Sequence, residues 1–201
     1  MAAFAGILVA WLHVWRDNHC MATLPAYDDP RLALVSVREY LATSYRPDCD
    51  YVDGRIEERN VGEYDHGFLQ TLLAHLFMNH REEWGVRPLT DVRMQVSSRH
   101  FRVPDLVVLR QGVPKEPVLT HPPLLVIEIL SPEDRLGRFQ DRIDDYLGFG
   151  IENIWIIDPE RRTAHRATRT GLHIVETAEL TVPETPIRVV LSELFAELDQ
   201  A

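Results

Sequence analysis

Two carboxylates sit where carboxylates are costly. Glu128 lies in the middle of Leu124-Leu125-Val126-Ile127-Glu128-Ile129-Leu130, and Asp105 follows Val103-Pro104 and precedes Leu106-Val107-Val108-Leu109. An ionised carboxylate among aliphatic side chains is expensive unless a cation or a metal offsets its charge. Two like charges brought close would raise one pKa unless a cation neutralised them. Oxygen ligands from two carboxylates suit Mg2+ or Mn2+, with waters and a substrate phosphate filling the remaining positions. For Glu128 alone, the competing reading is a salt bridge to an arginine of an adjacent strand, or a strand end that reaches solvent. For Asp105 alone it is a turn or cap. Two such acids on successive strands point together to a metal-type site.

The elements that must position them can be read from periodicity. Leu124–Leu130 is apolar at every position but one, as expected of a central strand covered on both faces. Residues 100–110 predict the strand that carries Asp105. Pro104 within it has no N–H for the ladder and marks an edge or a local break in pairing. Upstream, Ser36 with Glu39 three residues on predicts a capped helix over 36–44, and Tyr51-Val52-Asp53-Gly54-Arg55-Ile56 predicts a hairpin turning on Asp-Gly. Phe68, Leu72, Leu73, Leu76 and Phe77 recur at helical spacing, predicting a helix over about 64–84 closed by Gly85. A strand over 86–97 follows. Beyond Glu128, a helix over 137–148 and a buried strand over 153–158 are expected. Short strands near 162–168, 172–176 and 186–190 and a closing helix over 191–198 complete the order. That order is α/β with a mixed sheet and helices packed on it.

The chain has 201 residues, enough for one domain with a substantial core. Its formal charge of −10 argues against a surface that coats polyanions generally, so a nucleic-acid role would need a local basic patch or metal ions. Lys115 is the only lysine among 21 basic residues. Cys20 and Cys49 have the spacing of neither a disulfide framework nor a zinc site, which suits a reducing cytoplasm. Residues 1–15 are apolar but short of the roughly 20 a membrane span needs. No basic residue precedes Arg16, as a secretory signal would require. Residues 1–20 are therefore expected to be an extension outside the fold, with Met21 a second start and residues 21–201 a single domain. A weak membrane anchor is the alternative for 1–20.

Three ordered segments carry a resemblance: Val103-Pro104-Asp105-Leu106-Val107-Val108, Pro122 to Pro132, and Arg142 to Pro159. Together they closely resemble the Uma-type restriction endonuclease family of the PD-(D/E)xK nuclease superfamily. Tyr51-Val52-Asp53-Gly54 and the run Glu63 to Gly67 fit the same pattern, and the likeness extends over about 35–195. The resemblance implies a restriction-endonuclease-like core and a Mg2+-dependent endonuclease acting on DNA. It implies metal binding by Asp105, Glu128 and the carbonyl of Ile129, and activation of a water for attack on a phosphodiester. The superfamily lysine two residues after the glutamate is Leu130 here. In many relatives the charge comes from the next helix, four residues before a Tyr, and that position is Arg142, before Tyr146. Arginine can neutralise charge but is no general base near neutral pH. The competing reading of Arg142 is a surface salt bridge to Asp141 or Asp145.

His66, near the start of the long helix, could contact a phosphate or a metal-bound water, or could be a surface or capping residue. Glu63 could simply favour the helix N-terminus. Tyr146 and Trp155 read as core, and Asp158-Pro159 as a strand-ending turn. Arg93, Arg99, Arg102, Arg135, Arg138 and Arg142 could form a local phosphate-binding face, or be a scatter of solvated charges. The leading function is a metal-dependent DNA endonuclease of the cytoplasm, not membrane-bound. Cutting both strands would suit a homodimer, though no interface is legible. The alternatives are a catalytically inactive nuclease-fold binding protein, which Leu130 and the acidic charge favour, and a metal-dependent hydrolase of another phosphate or ester.

Overall fold

A computed structural model describes residues 34–59, 63–132 and 136–200. The expected extension 1–20, the alternative start at Met21, and Arg135 lie outside the described residues, as does the side chain of Arg138. Among the described residues no helix is long and apolar enough to cross a membrane.

The short helix α1 spans Val37–Ala42, and Ser36 caps it by accepting from the N–H of Glu39. Strands β1 (Cys49–Val52) and β2 (Arg55–Glu58) form the expected hairpin. Asp53 and Gly54 both take positive φ, the conformation a two-residue turn needs if its twist is to match the strands. The long helix is interrupted at His80. Helix α2 runs Tyr64–Asn79 and a single turn, α3, covers Arg81–Trp84, closed by Gly85 in the left-handed region.

Both long strands expected downstream are divided, and the divisions matter to the site. β3 (Val86–Thr90) ends at Asp91, whose positive φ turns the chain away, and β4 (Met94–Gln95) belongs to a different sheet. β5 (His100–Arg102) pairs with β4 and β1, whereas β6 (Leu106–Arg110) pairs with β3. The break falls at Val103-Pro104, where the proline cannot donate to a ladder.

The main sheet has six strands in the order β10-β9-β8-β7-β6-β3. Here β7 is Leu125–Ile129, β8 Ile154–Asp158, β9 Thr163–Thr168 and β10 Gly171–Ile174. β7 and β8 are parallel, joined by helix α4 (Leu136–Phe149), and every other pair is antiparallel. A small β11 (Glu179–Thr181) and β12 (Arg188–Val190) pair precedes the closing helix α5 (Leu191–Asp199).

Alternation along the central strands feeds two cores. Leu106, Val108, Leu125, Ile127, Trp155 and Ile157 pack with Leu69, Leu73 and Phe77 of α2 and Leu194 of α5. Val107, Leu109, Val126, Ile154 and Ile156 pack with Phe139, Ile143 and Tyr146 of α4. Burial on both faces is why Leu124–Leu130 reads as a continuous apolar run. Glu128 has the parity of Val126 and so falls on the α4 face.

Candidate active site

Asp105 and Glu128 face each other. The antiparallel register of β6 and β7 pairs Leu106 with Ile127, so the next step places Asp105 opposite Glu128. Pro104 ends regular pairing there, and the Asp105 side chain takes over. Its Oδ2 accepts the N–H of Ile129 at 2.8 Å. In an extended strand the N–H and C=O of one residue point the same way. The carbonyl of Ile129 is therefore directed to the Asp105 side, while the N–H of Leu130 goes to Ile157 on β8.

Helix α4 supplies the other wall. Arg142 and Tyr146 are four residues apart and share one helix face. The Tyr146 hydroxyl donates to Oε1 of Glu128, and Nη1 of Arg142 donates to Oε2 at 3.3 Å. Arg142 is held from behind by Asp50 of β1, its Nε lying 3.5 Å from Oδ2. Asp50 is only 1% exposed, and it also accepts from Arg102 at 3.0 Å and from the N–H of Val103 at 2.9 Å. Arg102 in turn donates to Asp145 at 2.7 Å, and His100 approaches the same carboxylate at 2.8 Å. A chain of buried charges thus links the small sheet to Glu128 and fixes the break at Pro104.

Two residues close the Asp105 side. His66, in the first turn of α2, places Nε2 3.3 Å from Oδ2 of Asp105. One turn on, Gln70 donates to the Asp105 carbonyl at 3.0 Å and to Asp91 at 3.1 Å. Arg59, just past β2, is the residue that sequence reasoning missed. Its Nη2 is hydrogen-bonded to Oδ1 of Asp105 and lies 3.7 Å from Oε2 of Glu128, and Nη1 lies 3.7 Å from Asp91. Its place at the end of Arg55-Ile56-Glu57-Glu58 reads in sequence as an exposed hairpin position.

These surroundings drive the two acids apart electrostatically. Burial would raise Asp105, but the Arg59 guanidinium, then His66 and the Ile129 N–H, hold its carboxyl well below the usual range. Burial pushes Glu128 up, and the charge of Asp105 adds to it. Arg142, Arg59 and the Tyr146 hydroxyl offset this only partly, and Glu128 stands at about 7. Burial would lower His66, yet its hydrogen bond and charge attraction to Asp105 leave it raised. Tyr146 is pushed well above its ordinary value by burial and by Glu128, so it remains a donor.

The structure brings Asp105, Glu128, Ile129, Arg142 and His66 into one place. The two acids, His66, Arg59 and Arg142 are linked by direct contacts. Asp105, His66 and Arg59 open onto a cleft of about 670 Å³ whose far wall includes Tyr45, Arg46 and Asp48. Arg142 is not the surface salt bridge to Asp141 or Asp145; its partners are Glu128 and Asp50. Glu63 stands at the N-cap of α2 without a side-chain capping bond. Trp155 is core, and Asp158 ends β8 by accepting the N–H of Arg161. Tyr146 is core but also a ligand to Glu128, which the apolar periodicity of its helix does not reveal.

Of the arginines that could form a phosphate-binding face or be a scatter of solvated charges, Arg93, Arg99 and Arg102 have partners within the fold. Arg93 donates to the carbonyls of Leu41 and Thr43 and lies over the Tyr40 ring. Arg99 pairs with Asp53, and Arg102 is buried among Asp50, Glu57 and Asp145. Arg93 and Arg102 thereby tie separate elements together, while the Arg99–Asp53 pair is exposed. Among the described residues, the arginines lining the cleft are Arg46 and Arg59.

Among the described residues, no cluster of three or more His, Cys, Asp or Glu side chains is arranged to hold a metal ion. The donors that converge are two carboxylates, both already within reach of one cationic nitrogen of Arg59. With the Ile129 carbonyl directed to the same side, this oxygen set fits a hard divalent cation that keeps several waters.

The family model described as Uma2, putative restriction endonuclease, matches residues 37–198. No curated protein matches the chain. The crystal structure of a putative nuclease belonging to DUF820 from Anabaena variabilis is similar at a TM-score of 0.71 and 21% identity. The likeness covers 82% of this chain and 99% of that one, and shows a shared fold. A DrdV–DNA complex solved by cryo-EM matches at a TM-score of 0.36 and 18% identity, over 65% of this chain and 11% of that chain.

Proposed function

Because the chain belongs to the Uma2 family, described as putative restriction endonucleases, we propose that it is a divalent-metal-dependent endonuclease that hydrolyses DNA phosphodiester bonds at Asp105 and Glu128. The observation that carries this reading is the placement of two buried carboxylates directly opposite each other, with Asp105 on the wall of a cleft and one guanidinium nitrogen of Arg59 within reach of both. Asp105, Glu128 and the carbonyl of Ile129 would hold Mg2+ or Mn2+. Such a metal, when bound, polarises a phosphoryl oxygen and lowers the pKa of a water, supplying a nucleophile near neutral pH.

The protein's own groups then have separable tasks. Tyr146 and Arg142 fix both oxygens of Glu128, so that its carboxylate does not rotate. Asp50 holds Arg142 in that pose, and Arg142 neutralises charge behind the site while remaining mostly buried. His66, protonated more readily than an ordinary histidine because of its contact with Asp105, lines the cleft, where its charge can stabilise a phosphate oxygen or a leaving group. Arg46 and Arg59 are the cationic side chains the cleft offers to a phosphate backbone.

A second reading is a nuclease-fold binding protein without turnover. It is favoured by Leu130 at the usual lysine position and by Arg59, which already neutralises both acids. Incubation with supercoiled plasmid and with a small phosphodiester, each with Mn2+ and with EDTA, separates the readings. The endonuclease reading expects metal-dependent nicking of the plasmid with little turnover of the small ester. Plasmid retention on the protein without any nicking would favour the binding module. Turnover of the small ester alone would indicate a different hydrolase.

A further inference from the structure

Arg59 occupies the space between the two acids that the proposed reaction needs for its metal. Its Nη2 contacts Asp105 and reaches Glu128, so one guanidinium neutralises both carboxylates at once. The side chain is 12% exposed, and its own charge is held by its partners: burial would make it easier to deprotonate, but Asp105 and Glu128 more than offset that. A guanidinium and a hard divalent cation cannot both fill the space between the same oxygens. The two states differ in what they do to Glu128. With Arg59 in place, both carboxylates have a cationic partner on this side.

Arg59 also has somewhere else to go. It lines the open cleft, and its second nitrogen already lies 3.7 Å from Asp91, a half-exposed acid at the turn after β3 that Gln70 holds by its amide. A small rotation about the arginine stem would exchange the Asp105–Glu128 pair for Asp91 without leaving the cleft. The neighbouring arginines lack this freedom. Arg142 is pinned between Glu128 and Asp50, and Arg102 is buried among three acids.

We propose that Arg59 is the resident counter-ion of the Asp105–Glu128 pair, and that a divalent cation enters the site only by displacing its guanidinium toward the cleft. This rests on the metal-site reading above and adds to it a residue that sets how readily the site fills. A bridged state populated about ten to one over the open state would weaken the apparent metal affinity about tenfold.

The test is calorimetric titration of the full chain with Mn2+, without nucleic acid, in the unaltered protein and in Arg59→Gln and Arg46→Gln. Arg46 lines the same cleft and is exposed, so its loss removes a like charge without removing the bridge. The expected result is binding tightened about tenfold or more by Arg59→Gln, and by less than about threefold by Arg46→Gln. Because Arg59→Gln leaves two acids facing each other, its folding can suffer. The second measurement therefore uses the unaltered protein: the side-chain Nε–H resonance of Arg59, assigned by its loss in Arg59→Lys, followed through a titration with diamagnetic Mg2+. It is expected to move and to lose protection from solvent exchange as the site saturates. Saturation with that resonance unmoved, or equal affinities for the unaltered and Arg59→Gln proteins, would overturn the displacement while leaving the metal site intact. Failure of every protein to bind Mn2+ would remove the metal site itself, and the role of Arg59 with it.

Discussion

The hydroxyl of Tyr146 donates to Oε1 of Glu128, and both residues are closed to solvent, at 0% and 1% exposure. A carboxylate with no water to turn to depends on every donor it has. Removing one donor therefore costs the desolvation of the partner left behind, about 1–3 kcal/mol. Tyr146→Phe is expected to lower stability in urea by that amount at pH 8, where Glu128 is ionised. The loss should be smaller at pH 5.5, where the protonated carboxyl needs fewer donors. Equal losses at both pH values would mean that the hydroxyl does not serve the ionised form.

Glu128 also predicts how stability changes with pH. Its ordinary value is 4.5, and in the fold it stands near 7 because burial and the Asp105 charge disfavour ionisation. Between those values the unfolded chain releases a proton that the native carboxyl keeps. Stability contributed by this group is thus highest below 4.5 and declines as pH rises through 7. Glu128→Gln removes the effect. In metal-free buffer, the stability difference between Glu128→Gln and the unaltered protein should shift in favour of the variant from pH 5 to pH 8. Mn2+ binding should do the reverse, strengthening by about tenfold per pH unit below 7 as the proton is displaced, and levelling above it. A pH-independent difference would contradict the shift.

Asp50 is predicted to be a structural keystone. It accepts from Arg102 and from the N–H of Val103, and it forms an ion pair with Arg142 at 3.5 Å. Asp50→Ala would take one acid partner from each of two buried guanidinium groups, and breaking a buried pair costs about 3–5 kcal/mol. Chemical denaturation should show a loss of that size. Arg55→Ala, an exposed change on the neighbouring strand, should cost under about 0.5 kcal/mol.

Leu130 has the same parity on β7 as Glu128 and is half-buried at the strand end. A lysine there would project toward the face that carries the glutamate. Leu130→Lys is expected to raise plasmid nicking at least about tenfold, the scale on which a positioned acid–base or charge-stabilising group acts. The gain should vanish in the Leu130→Lys, Glu128→Ala double variant. Unchanged or lower nicking in a folded Leu130→Lys protein would show that the charge is already supplied from elsewhere, with Arg59 and Arg142 the nearest sources.

How much of this could be read from the chain differs residue by residue. Glu128 and Asp105 stand out because an acid inside an aliphatic run violates the strand's own pattern, and the structure places them opposite each other. The helices, the Asp53-Gly54 turn and the central strand also follow from periodicity and turn chemistry. The two divided strands do not. Asp91 and the Val103-Pro104 break move the chain between sheets, and a local apolar pattern cannot say which sheet a strand joins. Asp50 is an acid between Cys49 and Tyr51, the same kind of anomaly as Glu128 on a shorter strand. Arg59 gives no such signal: an arginine after a charged hairpin looks solvated, and only the fold carries it to the acids. Arg102 and Arg142, two of the arginines that could have formed a phosphate face, are taken up by acids distant in sequence.

The central claim is that Asp105 and Glu128 form a metal-dependent phosphodiester-cleaving site, and plasmid relaxation by Glu128→Gln beside the unaltered protein tests it most directly. Glutamine keeps the shape, and its one carbonyl oxygen can accept from either Tyr146 or Arg142 but not from both at their present positions; it lacks the charge a divalent cation needs. With Mn2+ present, the unaltered protein is predicted to nick supercoiled DNA and EDTA to stop it. A folded Glu128→Gln protein should be slower by at least about a hundredfold, as when a charge-stabilising group is lost. Nicking that persists in Glu128→Gln at the unaltered rate would contradict the account.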